Sequence, residues 1–209
     1  MFSGIVSTLG RVVVLDKEPG GARLVIEGSL PWRAMAVGAS VACQGVCLTV
    51  MRRACGLPSL RKRFWVMASA ETLARTQMGS WRVGQRIHLE GALRLGDTVD
   101  GHLMFGHVDG LGTICRLQRE GASLRMTARL PQELMVFMVV RGSVAIDGVS
   151  LTITAVDRGK QQVEWVVVPH TLAETLLGGC RVDDNVHVEV DMLARYARRE
   201  EADDYATGT

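Results

Sequence analysis

Short alternations of apolar and polar residues dominate this chain. Such runs predict β-strands, because successive side chains of a strand point to opposite faces of its sheet. The alternating segments are 10–15, 22–27, 40–43, 47–50, 64–67 and 86–90 in the first half, and 112–115, 124–127, 143–146, 151–153, 163–168 and 186–190 in the second. About six short strands per half predict an all-β protein with a small closed barrel in each half.

Helical patterns are few. Turns of helix are predicted at 71–75, 130–136 and 171–175, with Pro131 near a first helical turn. Residues 192–199 form an amphipathic pattern with Leu193, Tyr196 and Ala197 on one stripe, and residues 200–209 form a polar tail.

The two halves repeat each other. The matching pairs are 1–6 with 103–108, 38–50 with 141–153, 71–79 with 170–178, and 83–90 with 182–189. A repeat of about a hundred residues has the length of a whole domain and exceeds a solenoid unit. We expect domains at 1–101 and 102–191, followed by a C-terminal helix and tail at 192–209.

Two dipeptides predict tight hairpins at equivalent places in the repeat. Asp147-Gly148 is a strong two-residue hairpin signal, and Gln44-Gly45 is a weaker one.

Composition narrows the function classes. The 209 residues are 47% apolar and 22% charged, as in ordinary globular proteins, and the net charge is only +2. This small charge and the few aromatic residues disfavour an oligonucleotide-binding barrel. The basic cluster 61–63 is expected in a solvated loop. No apolar run reaches the length of about 18 residues that a membrane helix needs.

The cysteines and the start of the chain favour a reduced, cytoplasmic protein. Five cysteines are an odd number, and Cys43 and Cys47 lack a second pair at zinc-site spacing. The segment 1–10 has no basic region before an apolar run, so no signal peptide is expected there.

Three polar positions are candidates for chemistry. Cys47 is either a small buried hydrophobe or a nucleophile, and its repeat partner Ser150 is also a potential nucleophile or hydrogen-bond donor. His107, which follows Gly106 where the second half begins, is either structural or an acid/base group. Asp191 follows the last strand, where it is either a helix cap or a carboxylate specific to the second half, because its repeat partner is Ala92.

Six motifs in order resemble the riboflavin synthase alpha-chain family nearly end to end. They are MFSGIV at the start, residues 40–50, GHLMFGHVDG at 101–110, GSVAIDGVSLTI at 142–153, VPHTL at 168–172 and VEVDMLARY at 188–196. The resemblance implies two similar six-stranded Greek-key barrels plus a C-terminal helix, assembled as a homotrimer. Association with lumazine synthase is a further expectation.

The resemblance also implies an activity. Two molecules of 6,7-dimethyl-8-ribityllumazine would dismutate to riboflavin and 5-amino-6-ribitylaminouracil, with no metal and no separate cofactor. Each barrel would bind one lumazine, and the active site would lie between the N-terminal barrel of one subunit and the C-terminal barrel of a neighbour. The implied nucleophile is Cys47, Ser40 or water, and His107 is an acid/base candidate.

The resemblance assigns site residues to each barrel. The first site would use Phe2, Gly4, Ile5, Val6, Ser40, Cys47, Leu48, Thr49, Met67, Ala68, Ser69, Ala70, Glu71 and Thr72. The second would use Gly106, His107, Val108, Ser150, Leu151, Thr152, Val168, Pro169, His170, Thr171, Leu172 and Ala173, with Asp191 nearby and Arg141 in place of a ligand-contacting lysine. His102 also matches the family.

The chain departs from the family pattern at several positions. Phe105 stands where a small or polar residue is usual, Gln44 replaces an Asn, Asp100 stands where a Gly is common, and Met67 stands where an Asp is frequent. The stretch 51–63 is expected to be a longer and more basic loop than its counterpart. The alternative function is that of the lumazine proteins of luminous bacteria, which bind a lumazine or flavin without turnover and tend to lose the cysteine and the second site.

Overall fold

The computed structural model describes residues 1–55 and 62–197. In the first half the elements are β1 (Thr8–Glu18), β2 (Gly21–Gly28), β3 (Ser40–Cys43), β4 (Val46–Thr49), β5 (Arg52–Cys55), β6 (Lys62–Ser69), α1 (Ala70–Arg75) and β7 (Arg86–Gly91). In the second half they are β8 (Gly110–Glu120), β9 (Ser123–Arg129), α2 (Gln132–Met135), β10 (Ser143–Ile146), β11 (Val149–Asp157), β12 (Gln162–Val167), α3 (Pro169–Glu174), β13 (Asn185–Val190) and α4 (Met192–Ala197). Short 3-10 helices lie at Trp32–Met35, Gln77–Ser80 and Leu177–Gly179.

The second half forms a closed six-stranded barrel. Its strand order is β10-β11-β12-β9-β8-β13, with every neighbouring pair described as antiparallel. The fully buried Trp165 lies in its core with Met126 and Ile114. The predicted alternation is confirmed along β12, where buried and half-buried positions alternate.

The first half has the same order with one strand interrupted. Its sheet runs β4-β3-β7-β1-β2-β6-β5, and β4 and β5 together occupy the place of the continuous β11. At the break, the Val50 N–H donates to Ala39 O and the Met51 N–H donates to Trp65 O, both at 2.8 Å. The chain therefore turns from one neighbouring strand to the other at this point, and the predicted pair of similar barrels is confirmed.

One predicted loop was partly wrong. Residues 52–55 form β5, and Lys62 and Arg63 begin β6, so both flanks of the expected basic loop are strand. In the paired strands an arginine side chain can stack on an aromatic ring of the neighbouring strand. The guanidinium of Arg52 lies 4.9 Å from the centre of the Trp65 ring. Residues 56–61, including Arg61, lie outside the described residues.

Both predicted hairpins are confirmed, and their tips meet. Gln44 and Gly45 have φ angles of 52° and 83°, and Asp147 and Gly148 have 51° and 80°, which are the positive values that a type I′ turn requires. A Cβ atom on Gly45 would lie 2.7 Å from the Gly148 amide nitrogen. Glycine is therefore required at the tips by backbone conformation and by the close approach of the two barrels.

Two buried histidines, His88 and His187, fix this contact between the barrels. They are repeat partners, and each ring uses both nitrogens across the interface. His88 Nδ1 lies 2.9 Å from Asp147 O, and its Nε2 accepts from the Leu176 N–H at 2.7 Å. His187 Nδ1 lies 2.8 Å from Gln44 O, and its Nε2 accepts from the Gln77 N–H at 2.8 Å. Since each Nε2 accepts a hydrogen bond, these contacts require neutral imidazoles protonated on Nδ1.

The helices follow the predicted places, with shifted ends. The segments around 71–75 and 171–175 are α1 and α3, and the pattern at 130–136 contains the shorter α2, which Pro131 precedes. The C-terminal helix α4 is described as far as Ala197; its predicted continuation to Arg199 and the tail 200–209 lie outside the described residues. No helix in the described part of the chain is long and apolar enough to cross a membrane.

Candidate functional site

Two short segments, residues 2–6 and 104–108, cross between the halves and are here called the exchange segments. The Ser150 N–H donates to Gly4 O, and the Cys47 N–H donates to Gly106 O, both at 2.8 Å. Val6 packs against the core of the second barrel, and Val108 packs against the core of the first. Each barrel therefore receives part of its wall from the other half.

This exchange corrects the expected grouping of site residues. Residues 4–6 lie with Ser150 in the second barrel, and residues 106–108 lie with Cys47 in the first. The expected assignment of these segments was wrong because an aligned repeat shows which residues are equivalent, but not which barrel each segment packs against.

Glycines allow the exchange segments to approach the strands closely. Gly4 and Gly106 have φ angles of 77° and 74°. A Cβ atom on Gly4 would lie 2.6 Å from the Ser150 Cβ, and one on Gly106 would lie 2.6 Å from the Cys47 Cβ. Any side chain at either glycine would push the segment away from the candidate nucleophile.

A small apolar cluster joins the two exchange segments. Phe2 pairs with Met104 as an isolated β-bridge, and both side chains are buried with Ala42 and Ala145. Cys47 packs against the same cluster. The phenyl ring of Phe2 was a candidate catalytic group, but it is 0% exposed and carries no acid or base, so this geometry assigns it a packing role.

Two buried carboxylates hold the backbones of the exchange segments. Glu90 accepts from the N–H of Ser3 at 2.7 Å, from the hydroxyl of Ser3 at 2.8 Å and from the N–H of Gly4 at 3.0 Å. Glu189 accepts from the N–H of Phe105 at 2.6 Å and from that of Gly106 at 2.9 Å. The two carboxylates are repeat partners, so the same device is present twice.

On the Cys47 side, residues of both halves surround a cavity of about 310 Å³. The first half contributes Val46, Cys47, Glu71, Thr72, Arg75 and Thr76, and the second half contributes Gly106, His107, Val108 and Asp109. The cavity thus contains a thiol and an exposed imidazole, which are suitable as a nucleophile and an acid/base group. The ring of Phe105 lies 6.0 Å from that of His107, centre to centre.

On the Ser150 side, His102 is the polar partner. Its Nδ1 lies 2.7 Å from the Ser150 Oγ, and its Nε2 is buried without a hydrogen-bond partner in the described structure. Burial lowers the pKa of His102, and the nearby negative charge of Asp191 opposes this shift. A serine hydroxyl and an imidazole are therefore hydrogen-bonded here, with the carboxylate of Asp191 near enough to influence the imidazole, and the Ser150–His102 pair is suited to exchanging a proton.

Asp191 also acts as a helix cap. Its Oδ1 accepts from the Leu193 N–H at 2.9 Å, two residues into the turn that begins α4. The two roles considered from the sequence are compatible, because the cap leaves the carboxylate close enough to His102 to influence its pKa.

Three more expected binding residues have buried side chains. Leu48 and Ala68 lie in the core of the first barrel, and Leu151 lies in the core of the second. Their side chains face away from solvent because they occupy the inward positions of β4, β6 and β11. We expect them to shape the sites through the barrel core.

The remaining expected residues lie at strand and helix ends where a ligand could reach them. Ser40 and Thr49 face each other across β3 and β4, and Thr152 pairs with Ser143 at the equivalent place. The half-buried or exposed positions of this set are Ile5, Met67, Ser69, Ala70, Glu71, Thr72, Val168, Pro169, His170, Thr171, Leu172 and Ala173. Arg141 is exposed and has a φ angle of 69°, and its N–H donates to Ile153 O at 2.8 Å.

The lumazine binding domain model matches residues 3–92 and again residues 105–191. The riboflavin synthase of Brucella abortus is 42% identical over 202 residues, covering 95% of this chain and 97% of that protein. The chain belongs to the riboflavin synthase family. The riboflavin synthase of Photobacterium leiognathi is 37% identical, covering 95% of this chain and 88% of that protein. The riboflavin synthase of Mycobacterium tuberculosis is 36% identical, covering 95% of this chain and 97% of that protein.

Solved structures of LumP share the fold of this riboflavin synthase family member. The LumP complex with 6,7-dimethyl-8-(1'-D-ribityl) lumazine superposes with a TM-score of 0.76 at 21% identity, covering 91% of this chain and 99% of that chain. The LumP complex with riboflavin gives a TM-score of 0.75, with the same identity and coverage. At this identity the likeness shows the double-barrel architecture alone.

Several residues of the site were not singled out from the sequence. Glu90 and Glu189 hold the exchange segments, and Arg75, Thr76 and Asp109 line the Cys47 cavity. For the two glutamates a signal existed, because both repeats have the same acidic residue at the same place in a strand. For the lining residues, only folding brings the helix end and the linker together.

Proposed function

We propose that the protein catalyses the dismutation of two molecules of 6,7-dimethyl-8-ribityllumazine to riboflavin and 5-amino-6-ribitylaminouracil, the last step of riboflavin biosynthesis. The observation on which this proposal depends is that Cys47 and Ser150 are equivalent in the repeat and that each donates its backbone N–H to the exchange segment of the other half. A reaction that consumes two identical molecules needs two similar sites, and the opposite roles of those molecules need sites that differ. The 42% identity to a named riboflavin synthase supports it.

The two bound lumazines undergo different steps of the reaction, so the two sites need different groups. The C7 methyl group of one lumazine loses a proton, a nucleophile adds at C7 of the other, and a four-carbon unit passes from donor to acceptor. Cys47, Ser40 and water are the candidate nucleophiles. His107 is the candidate acid/base group in the Cys47 cavity, and the His102–Ser150 pair is the candidate proton carrier on the other side.

Binding and orientation supply much of the expected rate. We propose that residues 67–72 and 168–173, together with Thr49 and Thr152, bind the two lumazines at equivalent places. Arg141 is proposed to contact ligand as well. Two ring systems held in reactive orientation avoid a large entropic cost, and this effect needs neither a metal nor a separate cofactor.

We propose a cytoplasmic homotrimer in which an active site forms between the first barrel of one subunit and the second barrel of a neighbour. The domains would be 1–101 and 102–191, with 192–209 as assembly helix and tail. Leu193 and Tyr196 on α4 are 70% and 80% exposed, as expected for a helix that packs on another subunit. Association with lumazine synthase is part of the same proposal, since that enzyme makes the substrate.

Assembly through α4 can be tested by ending the chain after Asp191. The truncated protein is expected to be monomeric by light scattering, to bind lumazine and to lose turnover. A truncated chain that remains trimeric would exclude α4 as the assembly element.

The alternative is a binding protein without turnover, and the likeness to LumP is the observation that favours it. The presence of Cys47, His107, Ser150 and Thr152 in one chain favours the enzyme. The deciding experiment is to incubate the pure protein with 6,7-dimethyl-8-ribityllumazine and a chelator and to follow riboflavin by fluorescence. Formation of riboflavin supports the enzyme, whereas binding without riboflavin formation supports the alternative.

A further inference from the structure

Glu189 is a buried carboxylate to which the proposed reaction gives no role. It lies on β13 and is 5% exposed. A buried carboxylate requires compensating partners, and no lysine or arginine in residues 1–55 and 62–197 forms an ion pair with it. Its hydrogen-bond partners are the consecutive backbone amides of Phe105 and Gly106.

This arrangement connects the carboxylate to Cys47 through a single residue. The Gly106 N–H donates to the Glu189 Oε2 at 2.9 Å, and the carbonyl of the same Gly106 accepts from the Cys47 N–H at 2.8 Å. His107, the next residue, lines the same cavity as Cys47. The position of Glu189 therefore sets where the thiol and the imidazole stand relative to each other.

Glu90 has the equivalent place on the other side. It accepts from Ser3 and Gly4, and the Gly4 carbonyl accepts from the Ser150 N–H at 2.8 Å. Since the two carboxylates act on different exchange segments, each is expected to control a different site.

We propose that Glu189 and Glu90 are positioning residues, each of which fixes the wall of one lumazine site by holding the exchange segment that enters from the other half of the chain. The proposal rests on the proposed function for the identity of the ligand. It assigns the Cys47 site to Glu189 and the Ser150 site to Glu90. Neither carboxylate touches a reacting atom, so each acts through the backbone that it holds.

The charge state of Glu189 adds a spectroscopic signature. Burial raises the pKa of Glu189 to about 7; the amides of Phe105 and Gly106 oppose the shift, and the nearby carboxylate of Asp109 adds to it. Asp109 is itself paired with Arg195. Because an ionised carboxylate accepts stronger hydrogen bonds than a protonated one, the Gly106 amide should report this titration.

The binding test compares Glu189→Gln and Glu90→Gln with a control variant, Glu164→Gln. Glu164 is a half-buried carboxylate of the same second barrel, on β12, paired with Arg125 and outside both sites. The probe is 6,7-dimethyl-8-ribityllumazine, and the readout is the lumazine concentration that protects Cys47 from alkylation, measured by peptide mass spectrometry. We expect Glu189→Gln to raise that concentration about tenfold, and Glu90→Gln and Glu164→Gln to leave it near the parental value.

The second binding site is followed in the same proteins by the number of lumazine molecules bound per chain. Glu90→Gln should weaken the site at which Cys47 is not protected. Glu189→Asp, which keeps the charge on a shorter side chain, should recover part of the protection and also serves if Glu189→Gln does not fold. Equal protection in parent, Glu189→Gln and Glu189→Asp would overturn the proposal.

The structural signature is measured without ligand by NMR. Because burial raises the pKa of Glu189 to about 7, the amide proton of Gly106 should titrate with a midpoint near pH 7 in the parent and lose this titration in Glu189→Gln. A titration that persists in the variant would also overturn the proposal. These readouts do not require turnover: a parent that binds lumazine and makes no riboflavin contradicts the proposed function, while the Glu189 experiments still decide the positioning role.

Discussion

The two barrels hold equivalent backbone positions in the same way but have different reactive side chains at those positions. In the first barrel, the candidate nucleophile is Cys47, and the nearby imidazole of His107 is exposed. In the second, the equivalent residue is Ser150, whose hydroxyl is bonded to the buried His102. The backbone contacts that hold the two positions are nearly the same, 2.8 Å from Cys47 N to Gly106 O and from Ser150 N to Gly4 O. The duplicated chain has thus preserved geometry while changing side chains.

This difference indicates how one substrate can be given two roles. A thiol ionises much more readily than an alcohol, so the first site is suited to nucleophilic addition. A half-buried hydroxyl hydrogen-bonded to a buried imidazole, with a carboxylate nearby, is suited to moving a proton. The following predictions test this division of labour, from the largest expected effect to the smallest.

The largest effect is expected from Cys47→Ser. If the thiol adds to the acceptor lumazine, turnover should fall about a hundredfold while the lumazine Kd stays near the parental value, because the two side chains are nearly isosteric. Ser150→Cys is the matched exchange and should have a smaller effect, mainly on binding. Steady-state turnover and equilibrium binding of both variants measure this. A near-parental turnover number for Cys47→Ser would assign the nucleophile to Ser40 or water.

The contact between the two barrels can be tested by substituting the glycines at the hairpin tips. Gly45→Ala and Gly148→Ala should each destabilise the protein by about 2 kcal/mol, because both residues have positive φ angles and touch the opposite tip. Gly20→Ala is the control: Gly20 has a φ angle of 87° and nothing within 4 Å of an added Cβ, so it measures the backbone strain alone. The readout is the urea midpoint. Equal losses at Gly20 and Gly45 would mean that the contact between tips adds no constraint.

A smaller effect is expected from His102→Gln. Removing the imidazole bonded to Ser150 should reduce turnover about tenfold, with little change in the binding of lumazine at the Cys47 site. Cys47 protection from alkylation and the turnover number separate the two quantities. If protection falls as much as turnover, His102 supports both sites and the division between them is not as sharp as proposed.

The smallest effect concerns pH and the inter-barrel histidines. Burial lowers the pKa of His88, Asp147 opposes this shift, and Arg86 adds to it. A histidine whose pKa is lower in the folded state contributes stability above its unfolded pKa of about 6.5, and that stability is lost as the pH falls. Between pH 7.5 and 5.5 we expect the parent to lose more stability than His88→Gln does, by at most about 1.4 kcal/mol, which is the limit over this range for one histidine with an unfolded pKa of about 6.5.

Urea unfolding at the two pH values measures this difference for His88. Glu189 contributes with the opposite sign: its raised pKa gives stability that is present at low pH and is lost as the pH rises through about 7. Comparing parent with His88→Gln cancels that contribution, because both proteins contain Glu189. Identical pH dependences in the two proteins would show that His88 is not a source of acid sensitivity.

The fold could largely be predicted from sequence because alternation and repetition are local, visible signals. The predicted strands and both hairpins are present. Strand β5 was missed because Arg52 and Arg53 look like loop residues, and their stacking on Trp65 and Trp32 is a tertiary contact.

The sequence revealed the equivalence of Cys47 and Ser150 but not the arrangement of the residues around them. Cys47 and Ser150 were identified as equivalent, and the structure confirms that they are held alike. Their neighbours were assigned to the wrong barrels, because the exchange of segments 2–6 and 104–108 depends on how the two domains pack. Glu90 and Glu189 were overlooked because a charged residue late in a strand is usually solvated, whereas here both are buried.

The exchange segments give this single chain the architecture of a homodimer whose two copies exchange a segment. In a two-fold homodimer, every contact from one copy to the other is returned by its symmetry mate, and here Gly4 to Ser150 is returned by Gly106 to Cys47. A single barrel cut from the chain would lose the exchange segment that it receives from the other half. We therefore expect neither fragment 1–101 nor fragment 102–209 to form a complete site as a monomer, and we expect mixing the two fragments to restore both sites. Because the two halves are covalently joined, the side chains of the two sites can differ without loss of the contact between the halves.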